Sequence, residues 1–524
     1  MISGSVFVGA SEEQSGDKFR GVNPATGETL SPDFCAATGD QVARACKLAD
    51  EAFPVFSALA PPDRAAFLER AADEIMALGD ELIERSTAES GLPRARLEGE
   101  RGRTVGQLRM FAAHLKKGEW LHVAINPAMP DRDPLPRADL RRRHVAVGPV
   151  AVFGASNFPL AFSVAGGDTA SGLAAGCPVV VKGHPAHPGT GELVARALRT
   201  AVAACGLPDG VFSYLPGPSN ELGAALVSDP HIRAVGFTGS RPGGLALMRV
   251  ASARPVPIPV FAEMSSINPV LLLPGALAAR ADALGEAFVG SLTLGSGQFC
   301  TNPGLVLALR GEALDRFLAS AAKALEGAPP TPMLTAGIHD SYGGGVATLD
   351  AHKDVTAVGR SAETGGVNCA QPALYSCTAK AFLSDPALGA EVFGPASLVV
   401  ACDSLDEMAA MIEGLEGQLT ATVHLEDDDK SALAELLPKL ERKAGRILAN
   451  GWPTGVEVCD AMVHGGPYPA TSDGQSTSVG TLAIERFLRP VCFQDIPDDL
   501  LPPPLRNANP WNVPRHVDGD PKRT

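Results

Sequence analysis

The amino-acid sequence predicts an α/β protein with doubly wound, mostly parallel sheets, and three observations lead there. Strand-like and helix-like stretches alternate from His144 onward. The 524-residue chain is longer than one hydrophobic core supports, so more than one domain is expected. The polar residues able to do chemistry fall where apolar runs end, which in open parallel sheets is where ligands bind.

Ahead of the alternation, Ala36 to about Lys117 is rich in Ala, Leu, Glu and Arg at helical spacing, as in RAAFLERAADEIMALGDELIERS, and reads as amphipathic scaffold. A Pro-rich connector, NPAMPDRDPLPRADL, follows. HVAVGPVAVFGA then reads as strand, FPLAFSVAGGDTASGLAAG as helix, CPVVVKG as strand and HPGTGELVARALRTAVAACG as helix. FSYLPG, a helix after Ser219 and AVGFTGS continue the series. A second α/β segment begins near Phe261 and includes a helix ahead of Cys300. The tail, LPPPLRNANPWNVPRHVDGDPKRT, reads as extended, either packed on a partner subunit or partly disordered.

Composition narrows the function. A hydrophobic fraction of 45% with 20% charged residues is ordinary for a globular enzyme. The net charge of −15 sets aside nucleic acid and anionic membrane as main partners, since basic runs are as short as Arg141 to Arg143. Ten cysteines without a C-x-x-C pair suit reduced thiols in a cytoplasm. His184 and His187 have no further ligand close in sequence, so no metal is expected. The N-terminus lacks the regions of a signal peptide. Two stretches without Asp, Glu, Lys or Arg, His144 to Gly167 and Ala287 to Leu309, are broken by Pro149, Asn157 and Pro159 and by Gln298, Asn302 and Pro303; they read as buried core, not membrane spans.

Three polar elements stand out in apolar or Gly-rich settings: FGASNFP with Asn157, FAEMSSINP with Glu263, and GQFCTNPG with Cys300. Singly, Asn157 could open a turn, Glu263 could cap or pair, and Cys300 could be a small buried hydrophobe. Together they suggest one reaction. A thiolate from Cys300 attacks an aldehyde carbon, and the resulting oxyanion is held by the Asn157 amide and the Cys300 backbone N–H. Collapse expels hydride to an acceptor and leaves a thioester, which water cleaves with Glu263 as base if burial raises its pKa.

The stretches FGASNFP, VVVKGHPAHPGT, GFTGS, AEMSSINP, GQFCTNPG and EVFGP, in this order, resemble the aldehyde dehydrogenase superfamily over nearly the full length. The resemblance implies two Rossmann-like parallel-sheet domains plus a β oligomerisation arm. Residues 1–125 and 148–260 would bind dinucleotide, 261–487 would carry catalysis, and 126–147 with 488–524 would form the arm and tail of a homodimer or homotetramer. It also implies Cys300 as nucleophile, Glu263 as deacylation base and Asn157 as oxyanion donor. The family's ELGGK is altered here to EMSSI, which keeps the acid and changes its packing.

For the cofactor, the G-x-G-x-x-G fingerprint is absent from PGPSNELG; Gly217 and Gly223 bracket a helix start whose N–H groups could face pyrophosphate, or simply punctuate a turn. By resemblance, Lys182 lies near the adenosine ribose, Gly239 and Ser240 line the phosphate and nicotinamide region, and Glu391 with Phe393 holds the nicotinamide ribose. Many NAD-preferring relatives place a glutamate where this chain has Pro185. With no carboxylate there, and with Lys182 and His184 as attracting groups, NADP is expected to be preferred and NAD accepted.

The segment Asn450 to Asp473, with KGHPAHPGT and GRTVGQLRMFA, is similar to dehydrogenases of 2-oxoglutarate semialdehyde (2,5-dioxopentanoate), whose close relatives with the same K-G-H element, NADP-dependent fatty or broad-range aldehyde dehydrogenases, are the alternative. A keto-acid substrate needs a cation for its carboxylate. Arg109, beside Met110 and Phe111, is the first expectation and Arg103 the second, although surface or inter-helix ion pairs are their plain alternatives. Phe158 and Gly465 are expected to shape the substrate pocket. A cysteine hydrolase or acyltransferase is the competing class; it would use Cys300 with a histidine base and no nicotinamide.

Overall fold

The computed structural model describes residues 2–14 and 16–522. Four helices, Gly39–Ser57, Pro61–Ala77, Gly79–Ser90 and Arg94–Lys117, form the expected scaffold. Their ends follow local chemistry. Thr38 and Gln41 form a reciprocal capping box on the first, and Gly91 and Gly118 close the third and fourth in left-handed conformation.

Two seven-stranded sheets carry the fold. In the first, the order is Val260–Glu263, Ala234–Thr238, Val150–Phe153, Val179–Gly183, Phe212–Pro216, Val6–Val8 and Ser11–Glu13. The first five of these are mutually parallel, and the N-terminal hairpin adds antiparallel at the edge. In the second, the order is Thr356–Arg360, Ala373–Thr378, Ala396–Cys402, Leu305–Leu309, Val270–Leu272, Gln418–His424 and Ala444–Ala449. Here only Thr356–Arg360 is antiparallel. Strands such as Val150–Phe153 and Val270–Leu272 are buried on both faces, as all-apolar runs covered by helices must be.

A third, five-stranded sheet joins Leu488–Gln494, Leu140–Ala146, Ala124–Asn126, Arg515–Val517 and Asp520–Lys522. The tail thus departs from the sequence expectation: it pairs with its own chain, parallel to Ala124–Asn126, and buries Leu501, Leu505 and Val513. A second departure is the stretch after Phe153. Only Gly167–Ala175 is helical, and residues 154–166 form an irregular loop. The buried Glu100 carboxylate accepts from the backbone of Leu160 and Ala161 at 2.8 and 3.0 Å, offering those N–H groups a partner that a helix would have supplied. No helix among the described residues is long and apolar enough to cross a membrane.

Candidate active site

The Cys300 loop explains its own glycines. After the helix Pro274–Thr293, Gly295, Ser296 and Gly297 take left-handed conformations with φ of 57°, 58° and 65°. Such a run costs a non-glycine residue about 1–2 kcal/mol each, so glycine at two of the three positions is a backbone requirement. Gly297 has a second reason: a Cβ there would lie 2.3 Å from the Gly394 carbonyl carbon. The GQFC and EVFGP stretches therefore meet backbone to backbone, reinforced by the Asn302 amide donating to Gly394 O at 3.1 Å.

The loop is pinned from below by groups the sequence reading passed over. Asn268, fully buried at φ 47°, donates its amide to Cys300 O and to Asn302 O, each at 2.9 Å. Its carbonyl oxygen accepts from Ser266 and Thr420, while the Gln418 carbonyl accepts from the N–H groups of Ile267 and Asn268. The EMSSINP segment thus holds the cysteine loop through a closed polar network.

Asn157 comes to the same place from the first sheet. Its amide nitrogen donates to Gln298 O at 3.0 Å, two residues before the cysteine, and retains its second N–H. Glu263 ends the strand Val260–Glu263. The segment 470–472 runs alongside, with Met264 N to Ala470 O at 2.8 Å and Ser472 N to Ala262 O at 2.9 Å, and this folds the Gly-rich loop of residues 464–478 over the carboxylate.

That loop delivers His464, which the sequence reading missed. The imidazole is fully buried, with Nε2 3.3 Å from Cys300 Sγ and 2.9 Å from Glu263 Oε1. Ser478 donates to Glu263 Oε2 at 2.8 Å. Burial raises the Glu263 pKa, but the His464 charge and the donors around it outweigh burial and hold it below the usual carboxylate range. This corrects the expectation of a raised value. Burial conversely pushes His464 down, and Glu263 with Cys300 reverse that, taking it up to about 10. A cavity of about 20 Å³, large enough for one water, lies among Glu263, His464, Gly465 and Ser478.

Arginines surround the sulfur, though not those placed first. Arg109 is exposed and bonded to Asp73 at 2.9 Å, so it faces solvent and is not part of the site. On the same helix, Arg96, Glu100 and Arg103 share one face at i, i+4 and i+7. Arg96 stacks 4.6 Å from both Phe158 and Phe299, and Arg103 5.1 Å from Phe162. Both guanidiniums lie within electrostatic reach of Cys300, as does Arg446. Arg103 Nε and Nη2 are buried without a protein acceptor. Phe158 packs edge-on to Phe299, the residue before Cys300, and Gly465 leaves room for Ser476 O, which a Cβ would approach to 2.6 Å.

The residues expected to bind dinucleotide fall at strand ends and in the turns that follow them. Lys182 is the next-to-last residue of Val179–Gly183 and donates to Gly217 O at 2.7 Å; burial brings its pKa down to about 8. Gly217, φ 156°, precedes the helix Asn220–Ser228, and Gly223 lets that helix approach the Phe153 ring, 3.1 Å from a built Cβ. Ser240 caps the helix Arg241–Ser252, and Gly239 N donates to Glu263 O. Burial, then His187 and Lys182, hold His184 well below its usual pKa; its Nδ1 accepts from Ala186 N at 3.2 Å, which leaves Nε2–H as a neutral donor, and Pro185 sits in the turn beside it. A cavity of about 180 Å³ is lined by Ser266, Phe299, Asn302, Glu391 and Phe393 among others. Burial pushes Glu391 up to about 7, against donors from Ser266 N at 3.5 Å and from the Ser265 side chain. A carboxyl lining this cavity beside the Cys300 loop fits a sugar hydroxyl pair.

A cysteine, a buried carboxylate and an amide donor thus converge between two mostly parallel sheets, an arrangement suited to thioester chemistry. The chain belongs to the aldehyde dehydrogenase family, whose model matches residues 11–478. It is 60% identical to alpha-ketoglutaric semialdehyde dehydrogenase 2 of Azospirillum brasilense, over 99% of each chain. It is 48% identical to the alpha-ketoglutaric semialdehyde dehydrogenase of Acinetobacter baylyi, over 93% of this chain and 92% of the other. Among solved structures, aldehyde dehydrogenase C of Pseudomonas syringae, in complex with NAD+ and octanal, superposes with a TM-score of 0.79 at 21% identity over 94% of this chain and 98% of the other, a likeness of fold.

Proposed function

We propose that this protein oxidises 2-oxoglutarate semialdehyde to 2-oxoglutarate with a nicotinamide dinucleotide, NADP in preference to NAD. The observation that carries the substrate is Arg103, a buried guanidinium with two N–H groups lacking acceptors, within electrostatic reach of Cys300. A carboxylate is the partner such a fork fits. The identity to the two semialdehyde dehydrogenases supports the same choice.

The reaction follows from the placement of the side chains. The His464 imidazolium beside Cys300 Sγ favours the thiolate, so the thiol gives its proton to solvent and the sulfur attacks the aldehyde carbon. The alkoxide of the thiohemiacetal is held by the free N–H of Asn157 and the Cys300 backbone N–H. A bound nicotinamide dinucleotide would supply the hydride acceptor, and Lys182 and Glu391 would hold its two riboses. Asn268 and Gly297 keep the sulfur fixed while the thioester stands. Water in the small cavity beside Glu263 and His464 attacks the thioester, its proton passes to that pair, and the carboxylate leaves with the thiol restored.

Assaying 2-oxoglutarate semialdehyde, hexanal and an ester substrate, each with NADP, NAD or neither, tests this reading. The semialdehyde with NADP should give the highest kcat/KM, about tenfold over NAD, the worth of one charge-assisted phosphate contact at Lys182. A preference for hexanal would assign the site to alkyl aldehydes. Ester turnover without dinucleotide reduction would favour the thiol hydrolase that the Cys300 and His464 contact also resembles.

Arg103→Met should raise KM for the semialdehyde about 30-fold, the loss of a bidentate charged contact, while kcat/KM for hexanal moves less than about threefold. Equal losses on both substrates would remove Arg103 from carboxylate binding. Arg109→Met serves as the comparison and should change neither.

A further inference from the structure

We infer that Cys300, His464 and Glu263 together form a site for one thiophilic divalent cation, zinc foremost, and that its occupancy switches the dehydrogenase off reversibly. The inference uses the same three side chains as the mechanism above, but not the identity of the aldehyde.

The geometry carries it. Sγ, an imidazole nitrogen and a carboxylate oxygen lie within 4.8 Å of one another. Around a tetrahedral zinc, with Zn–S of about 2.3 Å and Zn–N or Zn–O of about 2.0–2.1 Å, the distances between ligand atoms are about 3.3–3.6 Å. Here Nε2 to Sγ is 3.3 Å and Nε2 to Oε1 is 2.9 Å, within a few tenths of an ångström of those spacings, and the sulfur and carboxylate lie within 4.8 Å of one another, so the imidazole sits between the two other ligands as a shared ion requires. The donors are already oriented from outside. Ser478 donates to the other carboxylate oxygen, and Thr477 Oγ1 accepts from His464 N at 2.8 Å.

The donor chemistry selects the ion. A thiolate, an imidazole and one carboxylate suit zinc, whereas magnesium and calcium call for oxygen ligands throughout. Thiolate and carboxylate neutralise the two positive charges, while Arg96, Arg103 and Arg446 oppose a further cation nearby and keep affinity below that of a four-ligand structural site. Binding takes the proton from the sulfur and any proton from Nε2 and releases both to the buffer, with no change of oxidation state. With its lone pair committed to the ion, the sulfur cannot attack a carbonyl.

Cobalt(II) is the probe, because a thiolate ligand gives it a charge-transfer absorption in the near ultraviolet. Full-length protein should bind one cobalt per chain with that band, and zinc should displace it. Zinc should also inhibit at or below about 1 µM free ion, with full recovery after EDTA. Cys300→Ser should lose the band, and His464→Gln should weaken binding at least about tenfold. His122→Asn removes a separate cluster, His122, His144 and Glu485, and should leave band and inhibition intact. No thiolate band in the wild type, or zinc affinity unchanged in Cys300→Ser, would overturn the inference. The band needs no substrate, so a protein that shows it yet fails to oxidise the semialdehyde would defeat the proposed substrate and leave this site standing.

Discussion

Cys300→Ala is expected to lower kcat/KM for the aldehyde by at least about 10⁴-fold while leaving the fold and dinucleotide binding in place. Loss of a nucleophile that works as part of a unit removes nearly all that the unit contributes, and such losses reach about 10⁶ in turnover. The structure gives the reason the fold should survive. Sγ contacts His464, but the loop itself is held by backbone and amide bonds: Asn268 to Cys300 O, Asn302 N to Phe299 O, and Asn157 to Gln298 O. None involves the sulfur. The His464 and Glu263 ion pair also remains, so no buried charge is left without its partner. Absorbance of the reduced dinucleotide reads the activity, and thermal unfolding with dinucleotide titration reads the rest. Turnover within tenfold of wild type would show that the carbonyl is activated elsewhere.

Much of this arrangement was legible in the sequence, and the residues that were not share a physical cause. Strand and helix alternation located the parallel strands because both-face burial writes apolar runs that turn residues bound. Glu263, at a strand end, and Cys300, in a glycine-marked loop, could be read because each is polar within an apolar context. His464 could not. It lies in an irregular loop without period, and it reaches the sulfur only because residues 470–472 pair along the edge of Val260–Glu263. Residues 158–166 read as helix because their run of Phe, Leu, Val and Ala is apolar; Glu100, distant in sequence, captures two of their N–H groups instead. Arg109 was chosen for its apolar neighbours, and helix geometry turned it outward to Asp73. The spacing of Arg96 and Arg103, seven positions apart and so on one helix face, is the signal that would have found the inward pair.

Glu263→Gln should separate the two halves of the reaction. Glutamine can still accept from Ser478 and lies in the same strand, so attack, oxyanion binding and hydride loss should proceed at least once. Deacylation loses its carboxylate, at a cost of about 10²–10⁴-fold for removal of a general base. The expected record is a burst approaching one reduced dinucleotide per chain, then slow turnover, with mass spectrometry finding the acyl group on Cys300. His464→Gln should look different. Without the imidazolium beside it, the sulfur loses the cation that favours its thiolate, so acylation slows and no burst develops. The same substitution leaves Glu263 buried beside a neutral side chain, and its carboxylate loses the cation that held its pKa down. The paired outcome is informative because the two residues touch: a burst in the glutamate variant alone assigns water activation to the carboxylate and thiol activation to the imidazole. A burst in the histidine variant, with none in the glutamate variant, would reverse those roles.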